Sequence, residues 1–346
     1  MSAAERMCAR GLVGAAAILS LAVSASQAEA AETPTIVAGA PAMREPPFPA
    51  SASGIAYIGG TNYYVVADDA KSGEVGLYRA AIALSDDGLS VLSVSSGPRV
   101  VLEGCADLEA VAYDPLTKNV WAADESRKTI AEYNPETGAK LRSLAYPEEM
   151  KNTYKNLGFE SLAMSEDGLT MWTANEEALV SDGPKSSYES GTKVRLVKFE
   201  RRGPADEWRH VETVPYTTEK WNQQYDCGGN GRRGVSELCV LPDGSLLVLE
   251  RELSSGVKGS GMAAAMAARF MHEIFLVSGG KKTSVYRSSA DDSGAVLSNC
   301  EGMCLGPRTA DGARSLLVIT DAGDGFTSAQ IRPCRLEKAA RAGAGK

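Results

Sequence analysis

Short apolar runs alternate with turn residues along the chain, and the runs fall into sets. Asp107–Asp114 reads Asp-Leu-Glu-Ala-Val-Ala-Tyr-Asp, and Gly158–Ser165, Val235–Pro242 and Asn299–Gly306 share its plan: a glutamate opens an apolar stretch. Ser53–Gly59 is a degenerate first copy without the acid, leading on to Val65–Asp69. Apolar runs of this length, bounded by Gly, Pro and Asx clusters, predict strands. Their recurrence at intervals of tens of residues predicts an array of supersecondary units.

Each unit predicts four strands. In the second unit they are Leu108–Tyr113, Val120–Ala123, Thr129–Tyr133 and Lys140–Ala145, broken at Asp114-Pro115, Glu125-Ser126 and Asn134-Pro135. The fourth unit starts with Glu237–Leu241 and Ser245–Leu249. The fifth supplies only three strands, and Thr35–Ala38, ahead of the first unit, is the natural fourth. Closing the last blade with an N-terminal strand is how a propeller hides its edges. The first strands are apolar on both faces, as packing between neighbouring blades requires. The expectation is an all-β chain: a β-propeller of five four-stranded blades, with a sixth, eroded blade left open between Pro215 and Arg233. Two segments interrupt the pattern, a Gly/Ser/Pro loop over Ser181–Thr192 and Leu253–Arg269, whose Ala/Met stretch favours a short surface helix.

The first residues change the picture. Arg6 and Arg10 precede an apolar run, Gly11–Val23, and small residues up to Ala30. This is the pattern of a secretory signal peptide, too short for a membrane span. The expected mature chain is one domain over residues 31–338, periplasmic or secreted, with a disordered tail at 339–346. The leader carries two basic and two acidic residues, so the mature chain keeps the net charge of −8. Such a balance argues against nucleic acid and anionic membranes as partners; the expected partner is a small-molecule substrate and the expected state a monomer. Six cysteines remain after cleavage: Cys105, Cys227, Cys239, Cys300, Cys304 and Cys334. An even number in an oxidising compartment predicts disulfides.

The acids carry the candidate chemistry. In an antiparallel pair, the start of one strand and the end of the next share an edge. Glu109 is thereby placed near Asp124 and Glu125, Glu160 near Glu176 and Glu177, Glu237 near Glu250 and Glu252, and Glu301 near Asp321 and Asp324. With first strands innermost, these acids surround one mouth of the central channel. Like charges gathered in one place need a cation or a partner. Ca²⁺, which takes six to eight oxygens, suits such a rim better than Mg²⁺. The candidate ligands are Glu109, Glu160, Glu176, Glu237, Glu252, Glu301 and Asp321. The competing reading is structural: each glutamate accepts backbone N–H bonds from the next blade. No Gly-x-Ser-x-Gly elbow occurs, and two histidines on outer strands give no triad.

The runs Gly158–Gly183 (Gly-Phe-Glu-Ser-Leu-Ala-Met-Ser-Glu-Asp-Gly, then Asn-Glu-Glu-Ala-Leu-Val-Ser-Asp-Gly) and Gly234–Glu252 (Gly-Val-Ser-Glu-Leu, then Leu-Pro-Asp-Gly-Ser-Leu-Leu-Val-Leu-Glu-Arg-Glu) resemble the phytase-like domain family, "esterase-like activity of phytase". Asn299–Gly306 with Ile319-Thr320-Asp321 is similar to its C-terminal signature. The resemblance covers about Ser53 to Leu336. It implies a secreted bacterial β-propeller with phosphoester hydrolase activity. By position it carries over to Glu160, Glu176, Asp182, Glu237, Glu250, Arg251 and Glu301. The chain departs from the family in its extra cysteines and in Asp321-Ala322-Gly323-Asp324, where relatives more often show Asp-Asp-Asn.

Two functions follow as expectations. One is a Ca²⁺-dependent phosphoester hydrolase in which Glu160, Glu237 and Glu301 are ligands or the water-orienting base and Arg251 steadies the phosphoryl oxygens. The other is a non-catalytic binding or scaffold propeller with a structural metal at the same mouth.

Overall fold

The computed structural model describes residues 33–44, 48–68, 73–221, 231–255, 268–288, 299–322 and 329–337. They form five antiparallel sheets arranged as the blades of a β-propeller. Blade one is β3 (Ala52–Gly59), β4 (Asn62–Ala67), β5 (Gly76–Leu84) and β6 (Val91–Val100). Blade two is β7 (Leu108–Tyr113), β8 (Val120–Asp124), β9 (Thr129–Tyr133) and β10 (Lys140–Ser143). Blade three is β11 (Phe159–Met164), β12 (Thr170–Asn175), β13 (Lys193–Glu200) and β14 (Arg209–Thr217). Blade four is β15 (Gly231–Val240), β16 (Leu246–Ser255), β17 (Ala268–Ser278) and β18 (Lys281–Arg287). Blade five is β19 (Asn299–Arg308), β20 (Arg314–Asp321) and β21 (Gln330–Glu337), completed by β1 (Thr35–Ala38). The short β2 (Ala42–Met43) also pairs with β21.

The seam closes as the sequence predicts: Thr35–Ala38 pairs in register with Glu337–Cys334. The first strand of every blade is innermost, with β3 packing against β7 and β19, β11 against β7 and β15, and β15 against β19. Apolar side chains on both faces of these strands fill the gaps between blades. Ala110, Leu162, Phe159 and Trp121 share one interblade cluster, and Leu108, Val111, Tyr64 and Val66 share another. Each fully buried Leu, Ile or Val contributes roughly 1.5–3 kcal/mol, so the interblade layers dominate stability.

The structure corrects two expectations. Blade four is longer than expected: β15 starts at Gly231 rather than near Glu237, and β16 runs through Glu250, Arg251 and Glu252 to Ser255. Charged residues masked this extension in the sequence. The Ala/Met stretch expected to be a surface helix falls almost wholly in 256–267, outside the described residues, between β16 and β17. Finally, Cys105, Cys239, Cys300, Cys304 and Cys334 are all free thiols, and Cys227 lies outside the described residues. Cys239, Cys300 and Cys334 pack as small hydrophobes in one interblade cluster and Cys304 in the next. Burial pushes the Cys239 and Cys334 thiols up to about 12. The leader and the C-terminal tail likewise lie outside the described residues.

Candidate functional site

The repeated acid sits on a β-bulge. In blades two, three and five the inner ladder skips one residue near its start, and the skipped residues are Glu109, Glu160 and Glu301. In the degenerate first blade the skipped residue is Ser53, and in blade four it is Ser236. A bulge leaves its extra residue outside the ladder and re-aims its side chain. This gives the acids a common direction that simple strand alternation would not.

One step outward from the last pair before each skipped residue, the second strands carry Asp68, Glu125, Glu176, Arg251 and Asp321. Backbone bonds fix this layer: Asp68 N–H donates to Ser51, Glu125 N–H to Asp107 and Glu176 N–H to Gly158. In blades four and five the same layer is the register pairs Gly234–Arg251 and Asn299–Asp321. Four blades therefore contribute an acid and the fourth contributes an arginine. Where Arg251 stands, the bulge residue is serine.

Arg251 divides the mouth. It is 2% exposed, and its Nη2 donates to Glu176 Oε1 at 2.6 Å. Its Nη1 donates to Glu301 and, at 2.8 Å, to Asn299 Oδ1. Burial works against its charge, but Glu301, Glu176 and Glu160 outweigh burial and hold its pKa above the ordinary value. Asn299 Nδ2 donates to Glu301 Oε1 at 2.7 Å and to Asp321 Oδ2 at 3.2 Å. Burial pushes Glu301 up to about 7 against the pull of Arg251. The residues flanking Arg251 in sequence, Glu250 and Glu252, face away from it. They bind Arg233, at 2.6 and 3.4 Å, in a buried network with Glu273.

On the other side of the mouth the acids outnumber the cations. Asp68, Asp107 and Glu109 bring carboxylate oxygens within 4.8 Å of one another. Burial, with Glu301 and Asp321 nearby, pushes Asp68 up to about 8. Burial and the charges of Glu160, Glu301, Asp68 and Asp107 hold Glu109 well above the usual carboxylate range. Asp68 Oδ1 is buried with no hydrogen-bond partner among the described residues. Glu160 is 7% exposed, and burial together with Glu176 and Glu125 holds it well above its ordinary value.

These residues suit a hard cation. Ca²⁺ binds oxygens at 2.3–2.6 Å, so the ligands of one ion lie within about 5 Å of each other. Asp68, Asp107 and Glu109 satisfy that limit with no rearrangement. Carboxylates without neutralising partners are costly when buried, and an ion would remove that cost.

The sequence-predicted residues thus separate. Glu109 lies on the acid-rich side, Glu160 is a charge neighbour of both Glu109 and Arg251, Glu176 and Glu301 lie on Arg251, and Asp321 is half-buried beside Asn299. Glu237 is one residue past its bulge and 1% exposed. Its Oε1 accepts N–H bonds from Leu162 at 3.1 Å and Leu238 at 2.9 Å. Burial holds it well above the carboxylate range despite those bonds. Its carboxyl joins blades three and four. Glu252 belongs to the Arg233 network.

Sequence reasoning missed Asp107, which lies two residues before its bulge glutamate, and gave Asp68 no partners. It also missed Arg232, whose side chain is 34% exposed and whose Nη1 donates to Glu176 Oε2 at 3.3 Å. The expected strand start at Glu237 concealed the position of Arg232 at the mouth.

At the opposite end of the channel lies a cavity of about 300 Å³, lined mainly by apolar residues including Ile55, Val111, Leu162, Leu238 and Met303. It contains none of the repeated acids.

Fold and site together define a five-bladed propeller with a polarised acidic mouth. The chain belongs to the phytase-like family, "esterase-like activity of phytase", whose model matches residues 49–322. An uncharacterized secreted protein of Arthroderma benhamiae is 26% identical over 159 residues, spanning 45% of this chain and 30% of that protein. The chain therefore matches under a third of that relative's length. Among solved structures, the glutaminyl cyclase of Myxococcus xanthus is similar, with 10% identity, 90% of this chain and 100% of that one covered, and a TM-score of 0.41. The hydrazine synthase of Kuenenia stuttgartiensis is similar at 9% identity, with 80% and 79% covered and a TM-score of 0.39. Among the described residues no helix is long and apolar enough to cross a membrane.

Proposed function

We propose that the chain is an exported, Ca²⁺-dependent phosphoester hydrolase whose site is the acidic mouth of the channel. The observation that carries this reading is the convergence of Asp68, Asp107 and Glu109 within 4.8 Å, outside the reach of the arginine that neutralises Glu176 and Glu301. Those three carboxylates would hold the ion. A bound Ca²⁺ supplies charge to polarise a phosphoryl oxygen and to lower the pKa of a coordinated water.

The chain's own residues do the rest. Arg232, partly exposed and loosely tied to Glu176, is the cation available to a phosphate at the rim. Arg251 keeps Glu176 and Glu301 in place and acts on substrate only through them. Glu160, buried beside Glu109 and Glu176 with a raised pKa, is suited to hold or move the proton of the attacking water. Glu237 has no part in this scheme. A leader over Met1–Ala30 would direct export, and the name of the Arthroderma relative agrees with that. The folded chain would act as a monomer on a small phosphoester.

Purified protein is assayed for inorganic phosphate release from phytate and from an aryl phosphate, with Ca²⁺ and with chelator. Chelator-sensitive turnover is the expected result. No turnover on either substrate, with Ca²⁺ still raising the melting temperature, would replace this reading with a non-catalytic binding propeller.

A further inference from the structure

The inference below rests on the proposed cation at the mouth and concerns how many cations the ring takes. Five positions of one layer converge there: Asp68, Glu125, Glu176, Arg251 and Asp321. Four are acids. The fifth is an arginine, and in its blade the bulge glutamate is also replaced, by Ser236. Blade four has thus exchanged both of its mouth acids, and the charge put in their place is positive.

The contacts of Arg251 are those of an internal counter-ion. Glu176 from blade three and Glu301 from blade five bind it on opposite sides, and Asn299 completes the set. All are oxygen donors, two of them carboxylates, as a hard cation would require. Asp68, Asp107 and Glu109 have no such arginine. Two further observations mark that side as the place for an exchangeable ion. Glu160 is 7% exposed, is a charge neighbour of both Glu109 and Arg251, and accepts no hydrogen bond from a described residue. Asp68 Oδ1 is buried without a hydrogen-bond partner among the described residues.

We infer that Arg251 permanently occupies one of two cation places in the ring, so that the mouth binds a single exchangeable divalent ion, and that removing Arg251 opens a second ion place between Glu176 and Glu301. A guanidinium cannot dissociate, so the Glu176–Arg251–Glu301 side stays assembled in the absence of metal. The Asp68–Asp107–Glu109 side is the one that responds to Ca²⁺.

The test counts ions and does not depend on turnover. Chelator-stripped wild-type protein, D68N and R251Q are titrated with Ca²⁺ by calorimetry, with metal per chain checked by mass spectrometry under native conditions. The expected counts are one for wild type, none for D68N and two for R251Q. R251K, which keeps a cation, should return one. Because R251Q leaves buried carboxylates unneutralised, it should fold only with Ca²⁺, and Ca²⁺-dependent recovery of its melting transition counts in favour. Two exchangeable ions in the wild type would overturn the inference. So would an R251Q chain that folds and still binds one, or one that Ca²⁺ cannot fold. A wild-type count of one with no phosphoester turnover would leave the ion assignment standing and remove the hydrolase reading.

Discussion

Glu237 and Glu160 sit in strands of the same kind and look alike in the sequence, yet their surroundings give them opposite roles. Glu237 accepts two backbone N–H bonds, and burial pushes its pKa above the usual carboxylate range against them. Glutamine reproduces the acceptor oxygen without a charge. E237Q should therefore keep the Ca²⁺-dependent melting shift and keep turnover within about twofold of wild type. E237L removes the acceptor and leaves the Leu162 and Leu238 N–H groups unpaired, a loss of about 1–3 kcal/mol in denaturant melts. E160Q should abolish turnover, with a smaller effect on stability. The presence of an acid in each repeat was legible from the chain. Which acids meet was not, because a one-residue change of phase at Ser236-Glu237 decides it, and side-chain direction at a bulge has no marker in composition. Arg251 was recognisable as the best-placed cation, but its partners lie 75 and 50 residues away in other blades.

The bulged first strand is the element that makes the site, and two glycines show how tightly it is set. A Cβ at Gly234 would meet Glu176 Cγ at 2.6 Å and its carbonyl oxygen at 2.7 Å, and one at Gly158 would meet Glu125 Cγ at 2.8 Å. Each glycine lets a strand start pack directly on an acid of the preceding blade. Gly158 N–H also donates to Glu125 Oε1 at 2.5 Å. G234A should displace Glu176 from Arg251 and destabilise the fold by about 1–3 kcal/mol, read in urea melts. Glu125, a strand-end acid, thus accepts a backbone N–H from the next blade, whereas among the strand-opening glutamates it is Glu237 that takes a backbone N–H from a neighbouring blade, that of Leu162. Strand positions were legible wherever apolar alternation and Asx-Pro breaks coincide, as in β7 and β9. They were lost where charged residues continue a strand, as in β15 and β16, because charges in a ladder read as loop.

Across the whole molecule the ring gathers carboxyls whose pKa values are raised together: Asp68 to about 8, and Glu125, Glu177 and Glu301 to about 7. In the unfolded chain such groups titrate near about 4. Between those limits the folded state holds more protons, so stability is full at low pH and is lost as pH rises through the folded values. Metal-free protein should therefore show a falling melting temperature from about pH 5 to about pH 8. Added Ca²⁺, which binds the ionised form, should raise the melting temperature most at the upper end. Scanning fluorimetry with and without chelator checks both slopes, and a flat metal-free profile would contradict the burial argument. Ring closure makes a further prediction. Deleting residues 33–44 removes the strand that pairs with β21 and should abolish cooperative unfolding of the chain. That closure was legible because the fifth unit lacked a strand that the N-terminus had to spare.

The central claim is that one side of the mouth is a place for a cation and the other already holds its own. A crystal soaked in Ca²⁺ tests it most directly, by anomalous density. A single peak bounded by Asp68, Asp107 and Glu109, with Arg251 still between Glu176 and Glu301, is the result the account predicts. Saturating Ca²⁺ that leaves those three carboxylates without density would contradict it.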